Sequence, residues 1–134
     1  MLKKFITAPL ILLLIATLIV PVFATDVQQV LGNRAGKACR IYPSDTSAES
    51  DAFGLYTDVE YYGENDTSSV RVLNLYVYSS LPGSSWVQAK KDPMAPGGTA
   101  NNSLSLPTAA SWKVRLNPYG VNTTGCSGFA QVTD

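Results

Sequence analysis

The first 24 residues place the strongest constraint on what this chain can become. Lys3 and Lys4 form a short positive flank, and residues 5–20 are uncharged and rich in Leu, Ile, Val and Ala. Val22 and Ala24 then stand at the positions that a signal peptidase reads, so the segment predicts an export signal that is cleaved after Ala24. Export would place the rest of the chain where cysteines can pair.

A retained membrane anchor is the alternative interpretation of the same segment. Residues 5–24 are about as long as a membrane-spanning helix, although Pro9 and Pro21 interrupt them. We therefore expect a secreted, extracellular protein that has no membrane contact after cleavage. If cleavage fails, the same domain would be tethered to the membrane by its N-terminal segment.

The charge of the chain after cleavage limits its partners. Loss of Lys3 and Lys4 leaves eight basic residues against ten acidic ones, a net charge of −2. A slightly acidic domain gives no reason to expect nucleic acid or an anionic membrane surface as a partner.

Residues 25–37 are polar and contain two glycines, which predicts a flexible lead, and residues 38–134 have a length that suits one domain.

Two cysteines, Cys39 and Cys126, stand near opposite ends of this domain. An even cysteine count in an exported chain favours a disulfide bond. A Cys39–Cys126 bond would close a long loop and contribute on the order of 4 kcal/mol to stability. A zinc site is the poorer interpretation, because the sequence has no histidine.

Short runs of β-branched and aromatic residues recur along the domain, separated by turn residues every 8 to 15 positions. This spacing predicts an all-β fold, a small antiparallel β-sandwich, Ig-like or jelly-roll-like, of about seven strands. No helix is expected after the export signal. The expected strands are 38–42, 52–62, 67–79, 85–90, 102–106, 110–116 and 126–132.

The clearest local pattern is a predicted hairpin in which residues 52–62 and 67–79 pair across a turn at residues 63–66. Five of the seven tyrosines fall in its two arms. If the arms pair as expected, one outer face would carry a strip of aromatic rings beside an amide. Such a strip suits sugar rings and protein surfaces alike. The predicted ligand-binding residues are Tyr56, Tyr62, Tyr76, Tyr78 and Asn74.

The sequence also contains three weaker candidate sites. Asp58 and Glu60 share one strand face and could act as a carboxylate pair, although surface solubility explains them equally well. The acidic turn at residues 63–66 offers oxygen ligands for calcium without the spacing of a known loop, so no metal site is predicted. The Pro- and Gly-rich segment from Lys90 to Gly98 would present Met94 on a stiff loop, as recognition proteins do.

These observations favour a non-enzymatic binding module, secreted or at the cell surface, that recognises a glycan or a protein through an aromatic sheet face. The absence of histidine removes the commonest general base and the most frequent metal ligand. No cofactor is expected, and the partner would be an extracellular protein or polysaccharide. The alternative is an exported inhibitor or effector that acts through the loop from Lys90 to Gly98. The oligomeric state is left open.

Overall fold

A computed structural model describes residues 35–134. The predicted export signal at residues 1–24 and most of the predicted lead at residues 25–37 lie outside these residues. Within them, no helix has the length and hydropathy needed to cross a bilayer. The described chain consists of strands and turns, and its strands are β1 (Gly36–Ile41), β2 (Ala48–Glu49), β3 (Phe53–Asn65), β4 (Leu73–Ser80), β5 (Val87–Met94), β6 (Thr99–Pro118) and β7 (Gly128–Thr133).

Alternation of side chains explains why these segments become strands. Along β4, Leu73, Leu75 and Val77 are fully buried, whereas Tyr76 and Tyr78 on the opposite face are only half-buried. The last part of β6 repeats the alternation, with every second side chain fully buried. A period of two residues is the pattern of a sheet that has one face on the core and one toward solvent.

All strand pairs are antiparallel, in the order β1-β7-β3-β6-β4-β5, with β2 added beside β6. Strand β6 joins the two halves of this arrangement. Residues Thr99 to Ser105 pair with β3, and so do Ala110 and Trp112 beyond a shift of register, while Ser111 to Pro118 pair with β4. Pro107 lies within a shift of register between β3 and β6. Proline has no N–H to donate to a ladder, so a shift is expected there.

The two halves of the sheet face each other across the core. A Cβ atom placed on Gly63 of β3 would lie 3.0 Å from Leu75 Cδ2, and one on Gly128 of β7 would lie 2.6 Å from Leu73 Cδ2. The layer of β1, β7 and β3 therefore packs directly on β4. Between them lies an apolar core of Ile41, Phe53, Val59, Tyr61, Leu73, Leu75, Val77, Met94, Ala110, Trp112, Val114, Leu116, Cys126, Ala130 and Val132.

The predicted all-β antiparallel sandwich is confirmed, but the predicted central hairpin is wrong. Strand β3 continues through Gly63, Glu64 and Asn65 instead of turning there. Its hydrogen-bonded neighbours are β6 and β7, and those of β4 are β5 and β6. The two predicted arms thus lie in different layers, because long-range pairing with β6 replaces the local pairing that the turn residues suggested. The predicted strands 102–106 and 110–116 are one strand, β6.

The predicted Cys39–Cys126 disulfide is also absent, and both cysteines are free thiols. The Sγ atom of Cys39 lies 4.0 Å from the carbonyl oxygen of Val114, and that of Cys126 lies 3.9 Å from the carbonyl oxygen of Val72. Val72 accepts a hydrogen bond from the Tyr119 amide, five residues beyond Val114. The two cysteines therefore lie beside points, one on β6 and one just after its end, that are five extended residues, about 16 Å, apart. A disulfide needs sulfur atoms about 2 Å apart.

The buried face of β4 predicts a large contrast between two leucines. Leu75→Ala should lower the free energy of unfolding by about 2–5 kcal/mol, because Leu75 is fully buried. The matched control Leu55→Ala removes a side chain that is 60% exposed and should change it by less than about 0.5 kcal/mol. Chemical denaturation of both variants measures the difference. Equal losses of stability in the two variants would contradict the placement of Leu75 in the core and of Leu55 at the surface.

The free cysteines predict two thiols per chain. Ellman's reagent should titrate both in the denatured protein and react slowly with the folded protein. Burial of Cys126 limits access, and burial raises the pKa of Cys39 to about 12, so its reactive thiolate is scarce at neutral pH. A Cys39→Ser variant should lose one of the two thiols. If the denatured, unreduced protein had no titratable thiol, the predicted disulfide would be correct after all.

Candidate functional site

Tyr56 belongs to the packing of the domain and not to an exposed aromatic strip. Its ring stacks on Phe53, with centroids 4.6 Å apart, and its carbonyl oxygen accepts a hydrogen bond of 2.9 Å from Trp112 Nε1. The ring also packs against the apolar core. These contacts assign Tyr56 a structural role, so the structure separates it from the other predicted ligand-binding residues.

Tyr62 lies on the outer face of β3, between Asn101 of β6 and Gln131 of β7 in the strand register. Its hydroxyl donates a hydrogen bond of 3.0 Å to the Glu64 carboxylate. Burial raises the pKa of Tyr62, and the Glu64 carboxylate raises it further. The phenol is therefore protonated across the physiological range and is held in one orientation on the sheet.

The sheet surface around this ring forms a depression of about 460 Å³. We call it the Tyr62 depression. Hydroxyl, amide and carboxylate groups from three neighbouring strands converge on it, and among residues 35–134 no Lys or Arg lines it. Its residues are Glu60, Tyr61, Tyr62, Asn101, Asn102, Ser103, Gln131 and Thr133.

Gln131 contributes a buried side-chain oxygen to this depression. Its Oε1 atom is buried and has no hydrogen-bond partner within the described part of the chain. A buried acceptor without a donor costs about 1–3 kcal/mol. Gln131 Oε1 can accept a hydrogen bond if the amide rotates toward a donor in the depression.

The remaining predicted residues lie on the other layer. Tyr76 and Tyr78 stand on the outer face of β4, with ring centroids 6.1 Å apart and planes 21° from parallel. Asn74 precedes them on the same face and is 6% exposed. Because β3 and β4 face each other across the core, the outer face of Tyr62 and that of Tyr76 point in opposite directions. The expected single strip of tyrosines is therefore wrong.

Basic residues flank the two β4 tyrosines. Tyr76 pairs in register with Lys91 on one side and Arg115 on the other, and Tyr78 pairs with Lys113. The Lys91 Nζ atom lies 5.6 Å from the Tyr76 ring centroid, and the Lys113 Nζ atom lies 5.8 Å from that of Tyr78. Sequence reasoning missed these neighbours, since the partners of β4 are far away in the chain.

Asp58, one member of the predicted carboxylate pair, has a pKa shifted away from that of a catalytic acid. Asp58 accepts hydrogen bonds from the hydroxyls of Ser105 and Thr57, and these bonds lower its pKa. A catalytic acid needs the opposite shift, toward a raised pKa. The contacts of Asp58 suit a cross-strand structural link.

Glu64, Asn65 and Asp66 of the predicted acidic turn line a second depression, of about 390 Å³, but no group of three acidic, histidine or cysteine side chains that could hold a metal ion occurs within residues 35–134. In β3 the side chains of Glu64 and Asn65 point to opposite faces, and Asn65 is buried. Asn65 Nδ2 donates to the carbonyl oxygens of Arg71 and Met94, at 3.0 and 2.9 Å. Asn65 thus ties β3 to neighbouring backbone, and the turn offers two carboxylates, Glu64 and Asp66, at this depression.

The predicted stiff loop from Lys90 to Gly98 is largely strand. Residues up to Met94 belong to β5, and Met94 is 1% exposed within the core. The Lys90 ammonium lies 3.7 Å from the Asp92 carboxylate on the same strand. The loop therefore lacks the exposed apolar tip on which the inhibitor alternative depended.

Comparison with known proteins gives a likeness of shape alone. No family model and no curated protein matches the sequence. The Yersinia pseudotuberculosis-derived mitogen is 13% identical, with a TM-score of 0.46, over 75% of this chain and 85% of its own. PirA is 16% identical, with a TM-score of 0.46, over 76% and 94%.

A third solved structure is a carbohydrate-binding module in complex with β-1,4-galactotriose. It is 12% identical to this chain, with a TM-score of 0.46, over 72% of this chain and 68% of its own. Likenesses at this level carry no argument about ligand or activity. The ligand must be inferred from the residues of this chain.

Proposed function

We propose that this chain is a non-enzymatic extracellular binding module and that the Tyr62 depression holds an uncharged carbohydrate. The observation that carries the proposal is one aromatic ring set among hydrogen-bonding side chains, in a depression whose lining among residues 35–134 includes no Lys or Arg. Its extracellular location rests on the predicted export signal at residues 1–24.

The chemistry of the depression matches that of a sugar. A pyranose presents hydroxyl groups at its rim and C–H groups on its faces. Asn101 and Ser103 of β6 and Gln131 of β7 can donate and accept hydrogen bonds at such a rim. The Tyr62 ring offers an apolar surface for a C–H face and a polar edge beside it.

Strand geometry places these groups at a useful separation. Asn101 and Gln131 flank Tyr62 on the two neighbouring strands, each about 4.8 Å from β3. Two amides on either side of one ring can therefore reach opposite edges of a single sugar. A hydroxyl that donated to Gln131 Oε1 would also relieve the unpaired buried acceptor.

Charge and size favour an uncharged sugar over other ligands. Within residues 35–134 the lining has no Lys or Arg that would attract an anionic ligand. A stable protein interface needs about 800 Å² from each partner and apolar anchors. A polar depression of about 460 Å³ suits one or a few sugar units better.

Binding to uncharged polysaccharides tests the proposal. In affinity gel electrophoresis with soluble β-glucan, galactan, mannan and xylan, at least one polymer should retard the protein. Tyr62→Ala should weaken that retardation about tenfold, the equivalent of 1.4 kcal/mol, because the stacking ring is lost. Tyr62→Phe keeps the ring and should retain most of the binding.

Tyr42→Ala is the matched control, because Tyr42 is 56% exposed and does not line the depression. It should migrate as the unsubstituted protein does. The proposal fails if no uncharged polymer retards the protein, or if Tyr42→Ala and Tyr62→Ala weaken retardation equally.

A further inference from the structure

The outer face of β4, β5 and β6 carries a second cluster in which aromatic and basic side chains alternate. We call it the Tyr76 face. Its residues are Tyr76, Tyr78, Trp86, Lys91, Lys113 and Arg115. None of them lines the Tyr62 depression, and the two surfaces lie on opposite layers of the sandwich.

The aromatic rings of this face hold basic groups above them. Lys113 Nζ lies 4.4 Å from the ring centroid of Trp86 and also approaches Tyr78, and Lys91 Nζ lies over Tyr76. Such cation–π contacts contribute about 0.5–1 kcal/mol each at exposed sites. They restrict the lysines to positions over the sheet instead of leaving them extended into solvent.

Ion pairing leaves two of the basic groups without a counter-charge. The Lys113 ammonium lies 2.9 Å from the Glu49 carboxylate of β2. Within residues 35–134, no carboxylate lies at ion-pair distance from Lys91 or Arg115. Glu49 is the register partner of Arg115, but its carboxylate is engaged by Lys113.

These two cations stand on either side of Tyr76. Lys91 and Arg115 occupy the strands that flank β4, so their backbones are about 9.6 Å apart. Two like charges held across one ring repel each other, and an anion between them would relieve that repulsion. The guanidinium group of Arg115 presents a planar fork that matches a carboxylate.

We propose that the Tyr76 face binds an acidic polysaccharide, whose uronate carboxylates are held between Arg115 and Lys91. The Tyr76 and Tyr78 rings, stacked along β4, hold the Lys91 and Lys113 ammonium groups over the sheet, where these can meet the acidic chain. The proposal is independent of the Tyr62 depression, since it rests on different residues in a different layer. Its ligand is acidic, whereas the ligand proposed for the depression is uncharged.

Two observations favour an acidic polysaccharide over a nucleic acid. Proteins that bind single strands offer free aromatic faces on which bases stack. Here ammonium groups occupy positions over Tyr76, Tyr78 and Trp86. The whole chain also has a net charge of zero, whereas nucleic-acid-binding domains are strongly basic.

Immobilised polygalacturonate and its fully methyl-esterified form provide the test, because they differ in charge and share their sugar backbone. The protein should bind polygalacturonate in biolayer interferometry and leave the ester unbound. Lys91→Gln/Arg115→Gln should weaken binding about tenfold or more, as loss of two charge-assisted contacts requires. Binding should also weaken as salt rises from 50 to 500 mM.

Lys37→Gln/Arg71→Gln is the matched control, since it removes two exposed positive charges elsewhere on the domain and should bind as the unsubstituted protein does. Arg115→Lys keeps the charge, loses the fork and should weaken binding at least threefold, which tests the same contact with a milder change. Tyr62→Ala should leave polygalacturonate binding unchanged, so this proposal and the proposed function can fail separately.

Three results would overturn the proposal. The first is no binding to polygalacturonate, and the second is equal loss in the site and control double variants. The third is binding of single-stranded DNA as tightly as polygalacturonate. The last result would assign the face to nucleic acid.

Discussion

Pairing of β6 with two strands of different layers is the interaction on which the rest of the structure depends. This 20-residue strand pairs with β3 from Thr99 to Trp112, with two shifts of register, and with β4 from Ser111 to Pro118. One strand therefore supplies a hydrogen-bonded neighbour to both layers and fixes the register of each. The register shift near Pro107 lets the strand pass from one layer to the other.

Both candidate binding surfaces follow from this arrangement. Because β3 and β4 face each other through Gly63, Leu75 and Met94, their outward side chains must point in opposite directions. β6 contributes Asn101 and Ser103 to one outer face and Arg115 to the other. The same strand thus supplies uncharged hydrogen-bonding groups on one side of the domain and a cation on the other, which is why the two surfaces suit ligands of different charge.

Alternation within single strands could be predicted from the sequence, because it depends on residues two positions apart. The grouping of Tyr76 with Tyr78 on one strand face follows from it. Pairing between distant strands could not be predicted in this way. The turn residues at 63–66 suggested a hairpin, yet β3 runs through them, since β6 and β7 satisfy its backbone. The separation of Cys39 from Cys126, the Tyr62 depression and the cations beside Tyr76 all depend on that long-range register.

The double pairing of β6 can be tested directly by backbone NOEs in isotope-labelled protein. Contacts between the Tyr61 and Asn102 backbones and between the Val77 and Val114 backbones are expected in the same spectrum. No backbone contacts are expected between β3 and β4, which lie in different layers. A ladder of NOEs joining residues 52–62 to residues 67–79 would restore the hairpin and contradict the architecture described here.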